Sequence, residues 1–569
     1  MNKKIISLVL LLAMIACVFT GCGNKQETPA SEVNKSEETQ TETKKETTVK
    51  DKIVYGAVIA PRGTFNPLLA YMGSDGVIDS VTYASLLRTA GDGSLQPYLA
   101  ESYEVSEDQK VITFKLKENA KWQDGEPVTA EDVAFTFNTM GHKDFTGGDF
   151  EKVEKLVGAH EYYEGKVDSI KGIQVIDDYT VTLEFSEVYA PALNKLGTCG
   201  IVAKHIWSEI PIDKWDDQTE MLNYPIGCGP YKVVKYEPGQ YVEMEAFEDF
   251  FAGAPKTKKL IYKVINDDAI AAELKSGNID LVGVKNLKTS EIDSLKDLGL
   301  KLVSMPDNMY QYVGINMRMP IFRDKNLRQA FNYAVDRELI VEKLVEGRGA
   351  TLDVPFLPSG WAYPPEGTLN TYKYDPEKAK SLLEESGWID RDGDGIRENE
   401  AGEKLQFTMK CSNDSKIREQ AVLVIQESWK EVGIDIEVSV EEDAKMANDC
   451  IFDHDFELYA LNCYFGSDPD PYGWWHSDSA TDEKGVGSFN FGSYKNDKVD
   501  ECIEKANATL DQEERKAYYL EVAKQINEDA PMMFLYVQDK EVMHNPNLKG
   551  YEPSTFNEFY NVHNWVIEE

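Results

Sequence analysis

Residues 99–133 decide the fold of this chain, and they read LAESYEVSEDQKVITFKLKENAKWQDGEPVTAEDV. Within them, Val111–Leu116 alternates apolar and polar side chains, which is typical of a half-buried strand. The dipeptide Asp-Gly at 124–125 then predicts a sharp turn. Thr129, followed three residues later by Asp132, predicts a helix start, because each side chain can accept from the other residue's backbone amide. A strand, a turn and a helix in one short stretch indicate a mixed α and β fold.

The same mixture of elements continues along the chain. Further strands are predicted over residues 53–59, 181–185 and 232–236, and helices over 267–275, 326–344 and 376–386. Gly277 and Gly387 follow two of these helices, as expected of helix ends. With 569 residues, of which 42% are hydrophobic, the chain can bury a large core in more than one domain. The predicted class is α/β or α+β, with at least two lobes.

The first 22 residues have the pattern of a secretory signal. Two lysines precede an apolar run over 5–18, and small residues then lead to Cys22. The run is too short to span a bilayer comfortably. We therefore predict a lipoprotein signal peptide with a lipobox over 1–22, and membrane attachment through two lipid chains on Cys22. Cys17 is a weaker candidate, and a plain signal peptide is the alternative.

Composition separates the tether from the folded part and limits the function. Residues 23–51 are mostly Glu, Thr, Lys, Ser and Gln, which predicts a disordered tether before a domain over 52–569. The formal net charge is −39, which excludes nucleic acid as a partner and argues against broad adhesion to anionic lipid. Together these features predict an extracytoplasmic, lipid-anchored protein at the cell membrane.

Enzyme motifs are missing from the sequence. It contains no G-x-S-x-G, no H-E-x-x-H and no Walker A motif, and its seven histidines are scattered. The six cysteines beyond residue 22 form no C-x-x-C pair, so neither a zinc ribbon nor a redox site is indicated. A disulfide is permitted outside the cell, although the sequence cannot give its pairing. We predict a protein that is not an enzyme and requires no cofactor.

Four sequence blocks follow one another along the domain. The first is residues 99–133, the second is PIGCGPY at 225–231 with LKSGNID at 274–280, and the third is LRQAF at 327–331 with AVDR at 334–337. The fourth is DPDP at 468–471, followed by Asn490 and Phe491. In this order the blocks resemble the bacterial extracellular solute-binding proteins of family 5. These are the oligopeptide- and dipeptide-binding proteins of ABC importers.

The resemblance implies a two-lobe, Venus-flytrap fold. Lobe I would comprise about 52–310 and 533–569, with a β-rich subdomain at about 81–171, and lobe II about 311–532. The chain would cross between lobes near 308–314 and 530–536. Ligand would bind between the lobes and stabilise a closed form that docks on a membrane permease, with ATPase subunits behind it. Arg328, Asp336 and Arg337 are predicted to lie on one helix and to hold domains together.

The resemblance also implies where the ligand binds. In peptide-binding relatives, an aspartate just before an Asp-Pro element meets the peptide's N-terminal ammonium. Asp468 matches that position, and Asp470 is the alternative. A third interpretation is that both aspartates only shape a proline-rich turn. The further predicted ligand contacts are Tyr464, Phe465, Asn66, Tyr310 and Trp361.

Short peptides are the predicted ligand, and another solute such as an oligosaccharide is the alternative. Trp474 and Trp475 suit stacking on sugar rings, although they equally suit packing. Nickel is disfavoured by the scattered histidines.

A second motif is DRDGDG at residues 390–395, which matches the first half of an EF-hand calcium loop. It predicts a structural calcium site at Asp390, Asp392 and Asp394, with a solvated turn as the alternative. The twelfth loop position, which should be glutamate, is Ala401, and the nearby Glu398 and Glu400 are potential substitutes.

Overall fold

A computed structural model describes residues 48–70, 73–91 and 93–569. The predicted signal peptide, Cys22 and nearly all of the predicted tether lie outside the described residues. The strands are β1 Lys52–Ala57, β2 Leu87–Thr89, β3 Leu95–Pro97, β4 Ala100–Val105, β5 Val111–Leu116, β6 Ile173–Asp177, β7 Thr180–Glu184, β8 Tyr231–Glu237, β9 Tyr241–Ala246, β10 Lys259–Val264, β11 Leu281–Gly283, β12 Lys301–Ile315, β13 Gly349–Thr351, β14 Gln406–Ser412, β15 Asp435–Glu441, β16 Leu458–Tyr464, β17 Met532–His544, β18 Leu548–Lys549 and β19 Val566–Ile567.

Helices occur between most of these strands. They are α1 Gly73–Thr82, α2 Ala130–Met140, α3 Phe150–Val153, α4 Ala159–Tyr163, α5 Ala192–Lys195, α6 Lys204–Trp207, α7 Thr219–Asn223, α8 Ile270–Ser276, α9 Thr289–Asp297, α10 Lys325–Tyr333, α11 Arg337–Leu344, α12 Pro376–Glu385, α13 Lys416–Lys430, α14 Asp443–Ala447, α15 Tyr472–Trp475, α16 Asp497–Asn507 and α17 Gln512–Asp529. The α/β class is confirmed.

One large sheet organises the molecule. Its strand order is β15-β14-β16-β12-β17-β11-β1-β10-β9-β8, and β13 also pairs with β17. The two longest strands, β12 and β17, are antiparallel neighbours at its centre and join the strands on either side. Their pairing shifts register between Pro306 and Tyr310. The chain therefore passes through the middle of the sheet twice.

A second sheet lies in the early part of the chain. It has the order β4-β5-β7-β6, and β2 and β3 form a separate pair. The sheet extends to Glu184, beyond the predicted subdomain limit at residue 171. Helix α2 begins with the predicted capping box, in which Asp132 Oδ2 accepts from the Thr129 amide at 2.8 Å. Fully buried Trp122, Phe114 and Phe137 help form the core of this region.

The helix predicted over 326–344 is in fact two helices. Asp336 accepts from the Leu339 amide at 2.8 Å and so starts α11 as a separate helix. The prediction that Arg328, Asp336 and Arg337 share one helix is therefore wrong. Arg328 donates to the carbonyl oxygens of Phe322 and Asp529, at 2.7 and 2.9 Å. Arg337 donates to the Leu352 and Phe534 carbonyls and to Asp353.

The remaining global features concern cysteines and membranes. All six cysteines of the described residues are unpaired, and five of them are buried. They act as small apolar side chains of the core. Within the described ranges, no helix is both long enough and apolar enough to cross a bilayer.

Candidate ligand-binding site

A cavity of about 620 Å³ lies beside the end of β16. One wall is the loop from Tyr464 to Pro471 together with α15, and another wall includes Trp361. Glu151, Asn194 and Lys195, from the early part of the chain, also line the cavity. The volume falls within the range of about 300–1,000 Å³ that is usual for small-ligand sites.

Aromatic side chains form much of the wall. Phe465 packs on Tyr310 with ring centroids 4.7 Å apart, and both are almost fully buried. Tyr464 is 63% exposed and its side chain is free to meet a ligand. Trp475 is buried against Tyr494 and Phe534, so it supports the wall by packing. Tyr310, Trp361, Tyr464 and Phe465 were predicted from sequence to contact the ligand, and all four line the cavity.

Asn66 lies elsewhere. Its side chain is fully buried, and its Oδ1 accepts from the Leu68 amide at 3.0 Å. It does not line the cavity. The structure thus separates Asn66 from the other predicted contacts, because this residue shapes its own turn.

The Asp468 carboxylate is held by Arg515. Both carboxylate oxygens accept from the guanidinium, at 2.7 and 2.9 Å, and the two side chains are only 14% and 8% exposed. Arg515 also donates to the Tyr519 hydroxyl at 2.8 Å and lies 5.4 Å over the Trp361 ring. Burial alone would lower the pKa of the Arg515 guanidinium. The hydrogen bonds and negative charge of Asp468 have the larger effect, so the pKa is raised. The negative charge of Asp468 is therefore already balanced, and its contact with a ligand ammonium stays a prediction.

Asp470 is held differently. Its carboxylate accepts from the Asn507 amide group at 3.0 Å and from the Tyr472 backbone amide at 3.1 Å. Lys195 Nζ lies 3.7 Å from its other oxygen. Burial raises the pKa of the Asp470 carboxyl, and the positive charge of Lys195 opposes this effect.

Residues 194 and 195 connect the two sides of the site. Asn194 exchanges two hydrogen bonds with the Ser467 hydroxyl, at 2.8 and 3.0 Å, beside the contact between Lys195 and Asp470. A second cavity of about 660 Å³ adjoins them and shares Asn194, Lys195 and Ser467 with the first. These contacts therefore close the site at the boundary between two adjoining cavities.

Three charged residues at the site, Lys195, Arg515 and Glu151, were missed by sequence reasoning. Arg515 is 47 residues from Asp468, and no local pattern connects them. Glu151 is exposed on α3 and lines the cavity. In the part of the chain that the structure describes, its carboxylate has no hydrogen bond and no ion pair within 4.0 Å. Lys152 and Lys195 are near enough to interact with this negative charge, but neither forms an ion pair with it.

The predicted calcium loop follows α12. Carboxylate oxygens of Asp390, Asp392 and Glu398 lie within 4.8 Å of one another. Asp394, the third predicted ligand, instead pairs with Lys404. Lys404 also contacts Asp392 at 2.9 Å.

Comparison with known proteins identifies the fold. A family model described as "Bacterial extracellular solute-binding proteins, family 5 Middle" matches residues 94–485. The chain belongs to this family. It is a solute-binding protein with a two-lobe α/β fold and not an enzyme.

Individual relatives match over nearly the whole chain. Oligopeptide-binding protein AppA of Bacillus subtilis strain 168 is 30% identical over 520 residues, which are 90% of this chain and 91% of the relative. The structure of AppA from Bacillus subtilis with a nonapeptide has a TM-score of 0.76 at 28% identity, covering 92% and 100% of the two chains. NikZ from Campylobacter jejuni, in complex with Ni(L-His), has a TM-score of 0.75 at 27% identity, covering 91% and 99%. Proteins with this fold therefore bind chemically different ligands.

Proposed function

We propose that this protein is the substrate-binding lipoprotein of an ABC importer and captures short peptides between its two lobes. The observation that carries the proposal is the cavity bounded by Tyr464–Pro471 on one side and by Asn194 and Lys195 on the other. A ligand there contacts both sides at once. It therefore favours the closed form over the open one, because only the closed form offers all of these contacts.

The wall chemistry supports a peptide of varied sequence. Asp468 is balanced by Arg515, and Asp470 lies beside Lys195, so neither acidic side chain presents an unbalanced charge. The remaining lining combines aromatic rings with glycines, prolines and small polar residues, and we expect it to accept many side chains without selecting one. Affinity then comes from the peptide main chain and its charged ends. The oligopeptide-binding relative and its nonapeptide complex agree with this ligand class.

The peptide ammonium has three candidate partners: Asp468, its alternative Asp470, and Glu151. Asp468 is the partner predicted from sequence, and Glu151 is the carboxylate at the cavity that lacks a close ion pair among the described residues. We expect Glu151 to contribute more than Asp468 to binding of the peptide ammonium. The Asp468–Arg515 pair has a net charge near zero and therefore attracts a cation only weakly. A ligand ammonium can form a charge-assisted hydrogen bond with Glu151 without breaking an existing ion pair of that carboxylate.

Calorimetry with defined ligands tests the ligand class. We expect a short free-amine peptide to bind, and an oligosaccharide, Ni(L-His) and heme to give no comparable heat. Tyr464→Ala removes an exposed aromatic from the wall and is expected to weaken peptide binding about tenfold, a loss of about 1.4 kcal/mol. Tyr374→Ala, at a tyrosine that is 43% exposed and lies away from the cavity, is the matched control. Tight binding of a sugar without any response to peptides would favour the alternative ligand.

Membrane attachment through Cys22 is part of the proposal. The lipobox-like sequence and the polar stretch after it support an anchor and a spacer. We expect the wild-type protein to partition into detergent and Cys22→Ala to remain in the aqueous phase or uncleaved. Cys17→Ala is the matched control, and it should leave partitioning unchanged. Membrane retention of Cys22→Ala would move the assignment to Cys17 or remove it.

The closed form is proposed to dock on a membrane permease and release the peptide there, with ATPase subunits acting on the other side. Docking depends on closure, so a permease would distinguish loaded from empty protein by shape. Stimulation of ATPase activity in vesicles, measured with peptide and with its N-acetylated form, tests this step. Equal stimulation by empty protein would contradict it.

A further inference from the structure

The loop 390–398 has three features that together indicate a cation site, and the first is its sequence and turn. Its sequence has aspartate at the first, third and fifth positions and glycine at the sixth, as in the first half of an EF-hand loop. The structure shows the corresponding turn, in which Asp390 Oδ2 accepts from the Gly395 amide at 3.1 Å and Asp390 Oδ1 accepts from the Gly393 amide at 2.7 Å. Gly395 has a φ of +91°, a conformation that favours glycine.

The second feature is a buried carboxylate. Glu398 is 6% exposed, and its Oε1 accepts from the Arg391 amide at 2.8 Å. Its Oε2 is buried and has no hydrogen-bond partner in the part of the chain that the structure describes. Burial of an unpaired carboxylate oxygen costs folding free energy, so such atoms usually have a partner. A bound cation would supply one.

The third feature is the geometry of the oxygens. One carboxylate oxygen from each of Asp390, Asp392 and Glu398 lies within 4.8 Å of the others. Calcium holds oxygen ligands at about 2.3–2.6 Å, so two ligands on opposite sides of one ion are about 5 Å apart. A single calcium ion thus fits between the three carboxylates.

From these features we infer that the loop 390–398 binds one calcium ion, with Asp390, Asp392 and Glu398 as carboxylate ligands. Glu398 takes the place of the missing glutamate at the twelfth position, Ala401. The site is structural, because the loop connects α12 to β14 and lies outside the residues that line the ligand cavity.

Lys404 is the competitor of the ion. Its ammonium contacts Asp392 Oδ2 at 2.9 Å and also Asp394, so one positive charge serves two of the four carboxylates in this cluster. Calcium must displace this contact in part or bind beside it. We therefore expect weak affinity, with a dissociation constant of about 0.1–1 mM, as in extracellular calcium modules.

Calorimetric titration of the purified, chelator-stripped protein with calcium chloride is the test. We expect one site in the stated range, no comparable magnesium heat, and a rise in melting temperature of about 2 °C at about 10 mM calcium. Asp392→Asn and Glu398→Gln should each weaken calcium binding at least tenfold. Lys404→Met should strengthen it several-fold, because the competing ammonium is gone.

The matched control is Asp249→Asn. Asp249 is an exposed aspartate that pairs with Lys121 at 2.8 Å, much as Asp392 pairs with Lys404. This variant should bind calcium as the wild type does. The inference is overturned if the wild type gives no calcium heat and melts at the same temperature with calcium and with chelator. Equal weakening by Asp249→Asn, or equal magnesium binding, overturns it as well.

Discussion

Asp468→Asn is the substitution that best separates structural from ligand-binding roles at this site. Asparagine keeps the size of the side chain but removes its charge and one of the two strong acceptors for Arg515. Breaking a buried ion pair by removing one partner costs about 3–5 kcal/mol, because the other charge stays buried. Arg515 keeps the Tyr519 hydroxyl and the single oxygen of the introduced amide, so we expect the lower end, about 3 kcal/mol.

Urea denaturation measures this loss as a shift of the midpoint at constant slope. The matched control is Asp482→Asn, since Asp482 also pairs with an arginine, Arg318, at 2.8 Å but is 63% exposed. Exposed pairs contribute less than about 1 kcal/mol, so the control should change stability little. Equal effects of the two substitutions would refute the structural role of Asp468.

The same variant is then titrated with two peptides, one with a free amine and one N-acetylated. If Asp468 chiefly holds Arg515, its loss weakens both peptides by a similar factor. Glu151→Gln, in contrast, should weaken only the free-amine peptide, by about tenfold. Selective loss of the free-amine peptide in Asp468→Asn, with unchanged stability, would contradict this reasoning and restore Asp468 as the ammonium contact.

The other predictions concern stability. Burial, reinforced by nearby cations, lowers the pKa of His563 from 6.5 to about 4. Between these two pKa values the unfolded chain binds a proton that the folded protein does not, so the free energy of unfolding falls as the pH drops from 6.5 to about 4. Denaturation at about pH 7 and about pH 4 measures this fall. His563→Gln should remove about 3 kcal/mol of it, and the control His160→Gln, at an exposed histidine, should remove little. Gly227→Ala should destabilise by about 3 kcal/mol or more in urea, because its Cβ would lie 1.9 Å from the Thr82 carbonyl oxygen. Gly76→Ala, on a helix with open space, should instead stabilise by about 0.5–1 kcal/mol, and a loss there would contradict the assigned helix.

Sequence patterns correctly predicted elements whose formation depends on interactions between residues that are close in the chain. The strand Val111–Leu116 was predicted with its observed ends, because alternation of side chains directly reflects a half-buried sheet. The capping box at Thr129 was predicted for a similar reason, since its hydrogen bonds lie within three residues. The helix over 326–344 failed because Asp336 is compatible with a helix interior by pattern and also caps a new helix.

The candidate site was predicted only in part, because its electrostatics are long-range. The aromatic loop at 464–465 was located by resemblance, whereas the pairing of Asp468 with Arg515 depends on how α17 packs against that loop. The proximity of Lys195 and Asp470 spans 275 positions and arises only when the two sides of the cavity meet. Sequence spacing carries no information about such contacts, so charge balance inside the cavity had to come from the structure.

The central strand β12 brings a register shift and the cavity wall close together. Strand β12 pairs with β17 on both sides of a register shift between Pro306 and Tyr310, and proline has no amide hydrogen to donate to the ladder. The ladder between β12 and β17 is therefore interrupted between these residues, and such irregularities bend and twist a strand locally. Tyr310, immediately beyond the shift, packs on Phe465 at the cavity wall. A bend at this point would move the wall with it, so the predicted crossing between the lobes near 308–314 would include part of the ligand site.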